Sequence, residues 1–461
     1  MNLNKRQIIL FIAAIVGLLT FLNFILNFSD IRREYHMISV LPLVYGVLSL
    51  LLSFSLNLSF LKVVIMLCYS IKLVFIPLLI SLAGFQMFYG HADMRLNGYI
   101  FNAVILQCIE ILSVTIFVWF LKDKSIKSLN NSFNVSLRPS TNKLLLLLFG
   151  VSGGLLILYP QFIYNYQPIL MSDPEQLKVW TILSSTAKDT IPTYIYYLGG
   201  WCIAISKLLV PYYLIVRLYN GKQSKIWLKI ILSIIIIMIS CFFTSSARAA
   251  TIFSAIIGIL LLQKIYIKQS ASIMRILLIG GSLGIFVIFF YETISNSSNV
   301  AVSLLYKLNA YFSGIFNVAG SFLMDDSDKF NYLVGDCFRS IPLVKGFFTG
   351  LPMSYLEFNR AIGIDAEYNS QILPAISQGY FYLGYLGTIV IPLMMIKIAF
   401  YLFNRMQSTS DSFAFFALGM TFIYILLGVY LYDMFLSFSL IINNAFLMLV
   451  IMKLSQFKIK I

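Results

Sequence analysis

The chain has 461 residues, of which 60% are hydrophobic and only 11% charged, whereas soluble domains carry about a quarter charged residues. That balance excludes a water-soluble globular fold. The chain reads instead as an all-α, polytopic integral membrane protein, a single transmembrane domain over 1–461. The net charge of +15 would suit a nucleic-acid partner, but Lys and Arg also accumulate in the cytoplasmic loops of membrane proteins, so their placement decides between the two.

Apolar runs of about 18 to 25 residues can cross a bilayer core as helices. They fall near 8–28, 37–60, 62–84, 99–121, 144–160, 193–216, 226–243, 248–267, 273–291, 376–400, 412–430 and 434–452, about 12 crossings. The first run is too long for a signal-peptide core and no small-residue cleavage site follows it, so it is expected to be a retained span. Lys72 in the third span and Glu110 in the fourth lie about midway along adjacent antiparallel helices. A charge inside the bilayer is a functional candidate by default, yet these two predict a buried ion pair that neutralises both without catalysis or transport. Lys207, in the sixth span, would line a cavity or snorkel to the cytoplasmic edge.

His36 and His91 are the only histidines, and Cys68, Cys108, Cys202, Cys241 and Cys337 are scattered without a CxxC spacing. Neither a metal site nor a disulfide framework is expected, and no cofactor. No repeat of 20 to 50 residues is visible, nor a similarity between halves of the kind that inverted-repeat transporters carry.

Lys5 and Arg6 before the first span place the N-terminus in the cytoplasm, and the crossings then place both termini there. With that topology the cytoplasmic loops hold most of the Lys and Arg, and Asp123 and Asp411 are their only acids. The basic balance is therefore an orientation signal, and nucleic acid is not expected as a partner. The same topology puts 292–375 outside as one large extracytoplasmic loop. Within it, 298–324 carries apolar residues at helical spacing interrupted by Lys307, Asn309 and Asn317, which predicts an interfacial amphipathic helix.

Outside the cell neither ATP nor nucleotide sugars are at hand, so an enzyme working there needs a substrate that arrives activated, and lipid-diphosphate-linked sugars are the obvious class. Cations would hold the diphosphate and stabilise its developing charge. The candidates are Arg248, which follows Thr244-Ser245-Ser246-Ala247 and opens an apolar helix, and Arg339, Lys345 and Arg360 in the loop. Snorkelling would also explain Arg248, and solvation or lipid headgroups the loop cations. A sugar hydroxyl attacks more readily with a general base beside it. Glu357 and Glu367, flanking Arg360, are the candidate bases. Asp326-Ser327-Asp328 has the form of a metal-binding DxD motif but reads as a solvated turn. Tyr368, Tyr380, Tyr382 and Tyr385 offer faces on which sugar rings stack, although Tyr also favours the membrane interface.

The small-residue run ending at Arg248, the long outer loop, and Gly379-Tyr380-Phe381-Tyr382-Leu383-Gly384-Tyr385-Leu386-Gly387 opening a later span together resemble the Wzy-type polymerases of O-antigen, enterobacterial common antigen and capsule. The resemblance covers the order of spans along most of the chain. It implies a GT-C-like membrane glycosyltransferase of the bacterial cytoplasmic (inner) membrane that passes a growing glycan from its undecaprenyl diphosphate carrier to an incoming lipid-linked repeat unit. It also implies an essential arginine at Arg248 and further arginines in the loop. Undecaprenyl-diphosphate-linked oligosaccharide and membrane lipids are the implied partners, with a chain-length regulator and a flippase beside them. Related ligases often use a loop histidine, and 292–375 has none. A flippase for the same lipid-linked oligosaccharide, or an O-antigen ligase-like glycosyltransferase, remains the alternative.

Overall fold

The computed structural model describes residues 4–55, 58–83, 93–121, 133–168, 188–222, 225–244, 248–276, 314–325, 327–339, 347–363, 371–431 and 434–455, with shorter pieces between 179 and 186, between 302 and 312, and at 341 and 344. These residues are almost entirely helical. They divide into two units, one of 1–125, 283–400 and 425–438 and the other of 126–282, 401–424 and 439–461.

Among the described residues nine helices are long and apolar enough to cross a membrane: Lys5–Leu26, Arg33–Ser53, Phe60–Ala83, Ile100–Phe120, Pro139–Leu158, Thr193–Asn220, Tyr385–Ser408, Ser412–Tyr430 and Leu436–Leu454. Each coincides with an expected span. Ile226–Cys241 is apolar but shorter, and the expected span over 248–267 is followed after a 108° bend by Ile267–Ile276. Most of 273–291 lies outside the described residues. The helices leave rows of large apolar side chains exposed, such as Ile12, Leu19 and Leu22 on the first and Ile231, Ile235, Met238 and Ile239 on the helix from Ile226. Apolar faces of that extent are stable in hydrocarbon and not in water, which makes the chain an all-α, multi-pass membrane protein.

In the first unit, Asn4 starts the opening helix with a capping box: its side chain accepts from the N–H of Arg6 and Gln7, and Gln7 reaches back to its backbone. This helix packs on Arg33–Ser53 through small residues. A Cβ on Gly17 would stand 3.0 Å from the Pro42 carbonyl oxygen and 3.2 Å from the Gly46 Cα, so the backbones approach as small-residue interfaces in membranes allow. The third span is interrupted by a π turn at Ile71–Phe75, which carries Lys72. Within 298–324, where one amphipathic helix is expected, the described residues include a short helix Ile315–Gly320 that is buried on every side and packs on Ile100–Phe120.

The expected span over 376–400 is two helices, Ala375–Leu383 and Tyr385–Ser408. They are separated by Gly384 at φ +62° and ψ −150°, a conformation essentially confined to glycine. The first turns back on the second so that Gly379 and Gly387 touch backbone to backbone, and a Cβ on either would collide with the carbonyl of the other. Hydropathy runs unbroken through this segment, so the break is visible only as three glycines.

In the second unit, Phe162, Ile191 and Ile203 form one small core, and Ile215, Ile230, Leu262 and Ile273 belong to another. Trp201 donates to the Asn443 carbonyl at 2.7 Å, Tyr212 bonds Ser412 at 3.0 Å, and Arg138 meets Asp411 at 3.2 Å. A two-residue antiparallel pairing joins Gln167–Pro168 to Phe243–Thr244.

Candidate functional site

Helix Ser354–Ala361, in the long polar stretch before Ala375, is fastened at both ends. At its start Ser354 donates its backbone N–H to Asp336 Oδ1 at 3.0 Å and its hydroxyl to Oδ2. Towards its end the Asn359 side chain pairs with the backbone of Gln371, accepting from the N–H at 2.6 Å and donating to the carbonyl at 3.0 Å. Both contacts satisfy polar groups that burial would otherwise leave costly.

Asp336 sits near the end of helix Lys329–Phe338 and is only 2% exposed. Besides Ser354 it accepts from Gln378 Nε2 at 2.7 Å and from the Tyr382 hydroxyl, both on helix Ala375–Leu383. Gln378 Nε2 also lies 2.9 Å from Ser354 Oγ. Burial pushes the Asp336 carboxyl above its ordinary value, and the donors from Ser354, Tyr382 and Gln378 pull the other way. The same burial, with Asp336 as a nearby negative charge, raises the neighbouring Cys337 thiol.

Helix Ser354–Ala361 carries Glu357 and Arg360 one turn apart, paired at 2.7 Å. Their exposures differ sharply: the Glu357 side chain is 8% exposed and that of Arg360 74%. Glu357 lies against Tyr332, whose phenol is raised first by burial and then by that carboxylate. Arg360 is itself raised, by the hydrogen bond and the charge of Glu357. The result is a guanidinium presented to the surroundings on a fixed helix, with a buried carboxylate beside it. Such a pair can hold an anionic group through the guanidinium and accept a proton at the carboxylate.

The other expected site residues are distributed as follows. Arg339 donates to the Leu351 carbonyl at 2.6 Å, so one arm of its guanidinium is engaged by backbone. Tyr380 packs on Phe322, with ring centroids 5.1 Å apart, and edge-on to Tyr385 at 5.3 Å. Tyr382 is half-buried, with its hydroxyl committed to Asp336. Arg248 belongs to the other unit, where it is the first residue of helix Arg248–Ile265. Lys345, Glu367 and Tyr368 lie outside the described residues. Asp328 accepts from Asn331 at 2.8 Å and Asp325 from the Ser327 N–H at 3.0 Å, both as local turn contacts. Among the described residues no group of three or more His, Cys, Asp or Glu is placed to hold a metal ion.

Asp336 was not among the site residues that the sequence pointed to. It stands 18 residues from Ser354 and 42 from Gln378, and no motif spacing joins them. A second charged centre lies among the spans of the first unit. There Lys72 Nζ meets Glu110 Oε2 at 2.6 Å, with side-chain exposures of 2% and 0%, as the sequence led us to expect. Tyr69 donates to the other carboxylate oxygen at 2.8 Å, and its ring lies 4.7 Å from the ammonium. In the second unit Lys207 Nζ stands 5.1 Å from the ring centroid of Tyr166.

No protein-family model, no curated protein and no solved structure matches the chain.

Proposed function

We propose that the protein is a membrane glycosyltransferase that joins undecaprenyl-diphosphate-linked oligosaccharide repeat units into polysaccharide on the outer face of a bacterial cytoplasmic membrane. The observation that carries this reading is the Glu357–Arg360 pair, an exposed cation and a sheltered carboxylate on a helix fixed at both ends. It lies in the one long polar stretch of an otherwise apolar chain.

In the reaction a sugar hydroxyl of the incoming unit attacks the anomeric carbon of the carrier-linked glycan. A new glycosidic bond forms, the bond to the diphosphate oxygen breaks, and undecaprenyl diphosphate leaves with the electron pair. Glu357 takes the hydroxyl proton, with Glu367 as the second candidate base. Arg360 neutralises the departing diphosphate, with Arg339 and Lys345 as further candidate cations of the same stretch, and Arg248 is a separate candidate diphosphate ligand in the other unit. Positioned cations lower such a barrier because the charge appears where they already point. Tyr368, Tyr380 and Tyr382 stand as candidate glycan contacts. A chain-length regulator and a flippase are the proteins such an enzyme works beside.

Purified protein given short-chain polyprenyl-diphosphate repeat units is expected to yield a ladder of longer glycans. Arg360→Ala is expected to lower the rate by about 10²- to 10³-fold, the usual cost of one transition-state donor. A ladder that survives Arg360→Ala, Arg248→Ala and Arg339→Ala alike would overturn the site assignment. Labelled lipid oligosaccharide that crosses vesicles without a change in glycan length would point to a transporter instead.

A further inference from the structure

The geometry points to Asp336 as the positioning residue of this site. Its carboxylate accepts four hydrogen bonds, from the Ser354 N–H and hydroxyl, from Gln378 and from Tyr382. Those donors come from two helices. One, Ser354–Ala361, carries Glu357 and Arg360. The other, Ala375–Leu383, is locked by Gly379 against Gly387 onto the span Tyr385–Ser408. Asp336 therefore links Arg360 mechanically to a span, through Ser354 on one side and Gln378 and Tyr382 on the other.

Three properties separate this arrangement from an ordinary buried aspartate. Both oxygens are engaged, so the carboxylate fixes an orientation and not only a distance. Two of its donors are themselves in contact, Gln378 Nε2 with Ser354 Oγ at 2.9 Å, which closes a ring of hydrogen bonds around Oδ2. And Ser354 opens the helix through its backbone N–H, one of the groups that a helix start leaves without an intrahelical partner. Replacing the carboxylate by an amide keeps the volume but turns one acceptor oxygen into a donor, so the four donors can no longer all be satisfied, whichever way the amide lies. The helix start would then loosen while the spans stay packed. Guanidinium placement to within a fraction of an ångström is what a diphosphate contact requires.

This inference rests on the reading of Arg360 as a diphosphate ligand, and the experiment keeps the two apart. The full chain in detergent, as wild type, Arg360→Ala, Asp336→Asn and Tyr382→Phe, is titrated with undecaprenyl diphosphate and followed in parallel by backbone hydrogen exchange. Asp336→Asn is expected to speed exchange across 354–361 by about tenfold, the loss of a hydrogen bond or so, and to weaken binding by a similar factor, with exchange in the spans unchanged. Tyr382→Phe removes one donor only and is expected to move both readouts the same way by less, which keeps the test open if Asp336→Asn fails to fold. Unchanged exchange across 354–361 in both variants overturns the inference. Faster exchange with unaltered affinity overturns it as well, because a merely structural aspartate behaves that way. A wild type that does not bind undecaprenyl diphosphate overturns the reading of Arg360 and the positioning role with it, and that failure shows before any substitution at Asp336 is made.

Discussion

The Lys72–Glu110 pair and the Glu357–Arg360 pair each join a base to an acid, at 2.6 Å and 2.7 Å, and both belong to the same unit. Around the first, the protein closes completely: Tyr69 donates to the second carboxylate oxygen and offers its ring to the ammonium, and neither charge is exposed. Around the second, closure stops halfway, with the carboxylate sheltered and the guanidinium left out. The difference teaches that in a membrane protein a charge is informative by what it still offers to a ligand, not by how costly its position is. A fully buried pair spends its attraction on offsetting its own desolvation. A half-open pair keeps an unspent field for something else.

Breaking one partner tests the first half of the comparison and should have the largest effect on stability. Lys72→Met leaves Glu110 buried without its counter-ion, and Glu110→Gln does the same to Lys72. Each is expected to cost about 3–5 kcal/mol, read as a lowered unfolding midpoint in detergent, whereas the double variant Lys72→Met/Glu110→Leu should recover most of the loss. A double variant as unstable as either single one would show that the pair contributes more than mutual neutralisation. The half-open pair should lose less: Arg360→Ala removes an exposed partner from a carboxylate at the protein's edge and is expected to lower the midpoint by less than either single change at the buried pair, with its main cost in the glycan transfer proposed above.

The glycine hairpin comes next in size. Gly387→Ala drives a methyl group into the Gly379 carbonyl, and Gly384→Ala forces a side chain into the conformation at φ +62° and ψ −150°. Each is expected to cost about 1–3 kcal/mol in the same unfolding measurement. Because Gln378 and Tyr382 reach Asp336 from this hairpin, both variants should also loosen 354–361, visible as faster hydrogen exchange there. If the exchange stays slow, the hairpin does not carry the clamp.

How much of this could be read from the chain depends on the range of the signal. Long apolar runs are local, and among the described residues nine of the spans they predict are helices of membrane-spanning length. The Lys72–Glu110 pair was legible too, because two charges midway along neighbouring hydrophobic runs have little else to meet. The Gly379, Gly384 and Gly387 segment stood out as a motif, but its meaning did not, since a break inside a continuous apolar run leaves the hydropathy unchanged. Asp336 was invisible for a different reason. Its partners arrive from 18, 42 and 46 residues away, and only the folded backbone brings them together. Arg339, read from its charge as a substrate contact, also holds the Leu351 carbonyl through one arm, a backbone partner that no residue type announces.

The smallest effect concerns pH, and it separates desolvation from hydrogen bonding at Asp336. Burial raises its carboxyl above the ordinary value of 3.8, while Ser354, Tyr382 and Gln378 oppose that rise. A carboxyl whose folded value lies above its unfolded one binds its proton more tightly in the folded state. Its contribution to stability is then fully present below 3.8 and is lost as pH rises through the raised folded value. The wild type should therefore lose stability across that window relative to Asp336→Asn, which has no proton to release there. The difference should be modest because the donors work against burial, and unfolding midpoints of the two proteins taken between about pH 3 and pH 7 will show it. A wild type that instead gains on the Asn variant as pH rises would mean that the ring of donors outweighs burial, and the clamp would then be strongest with the carboxylate ionised.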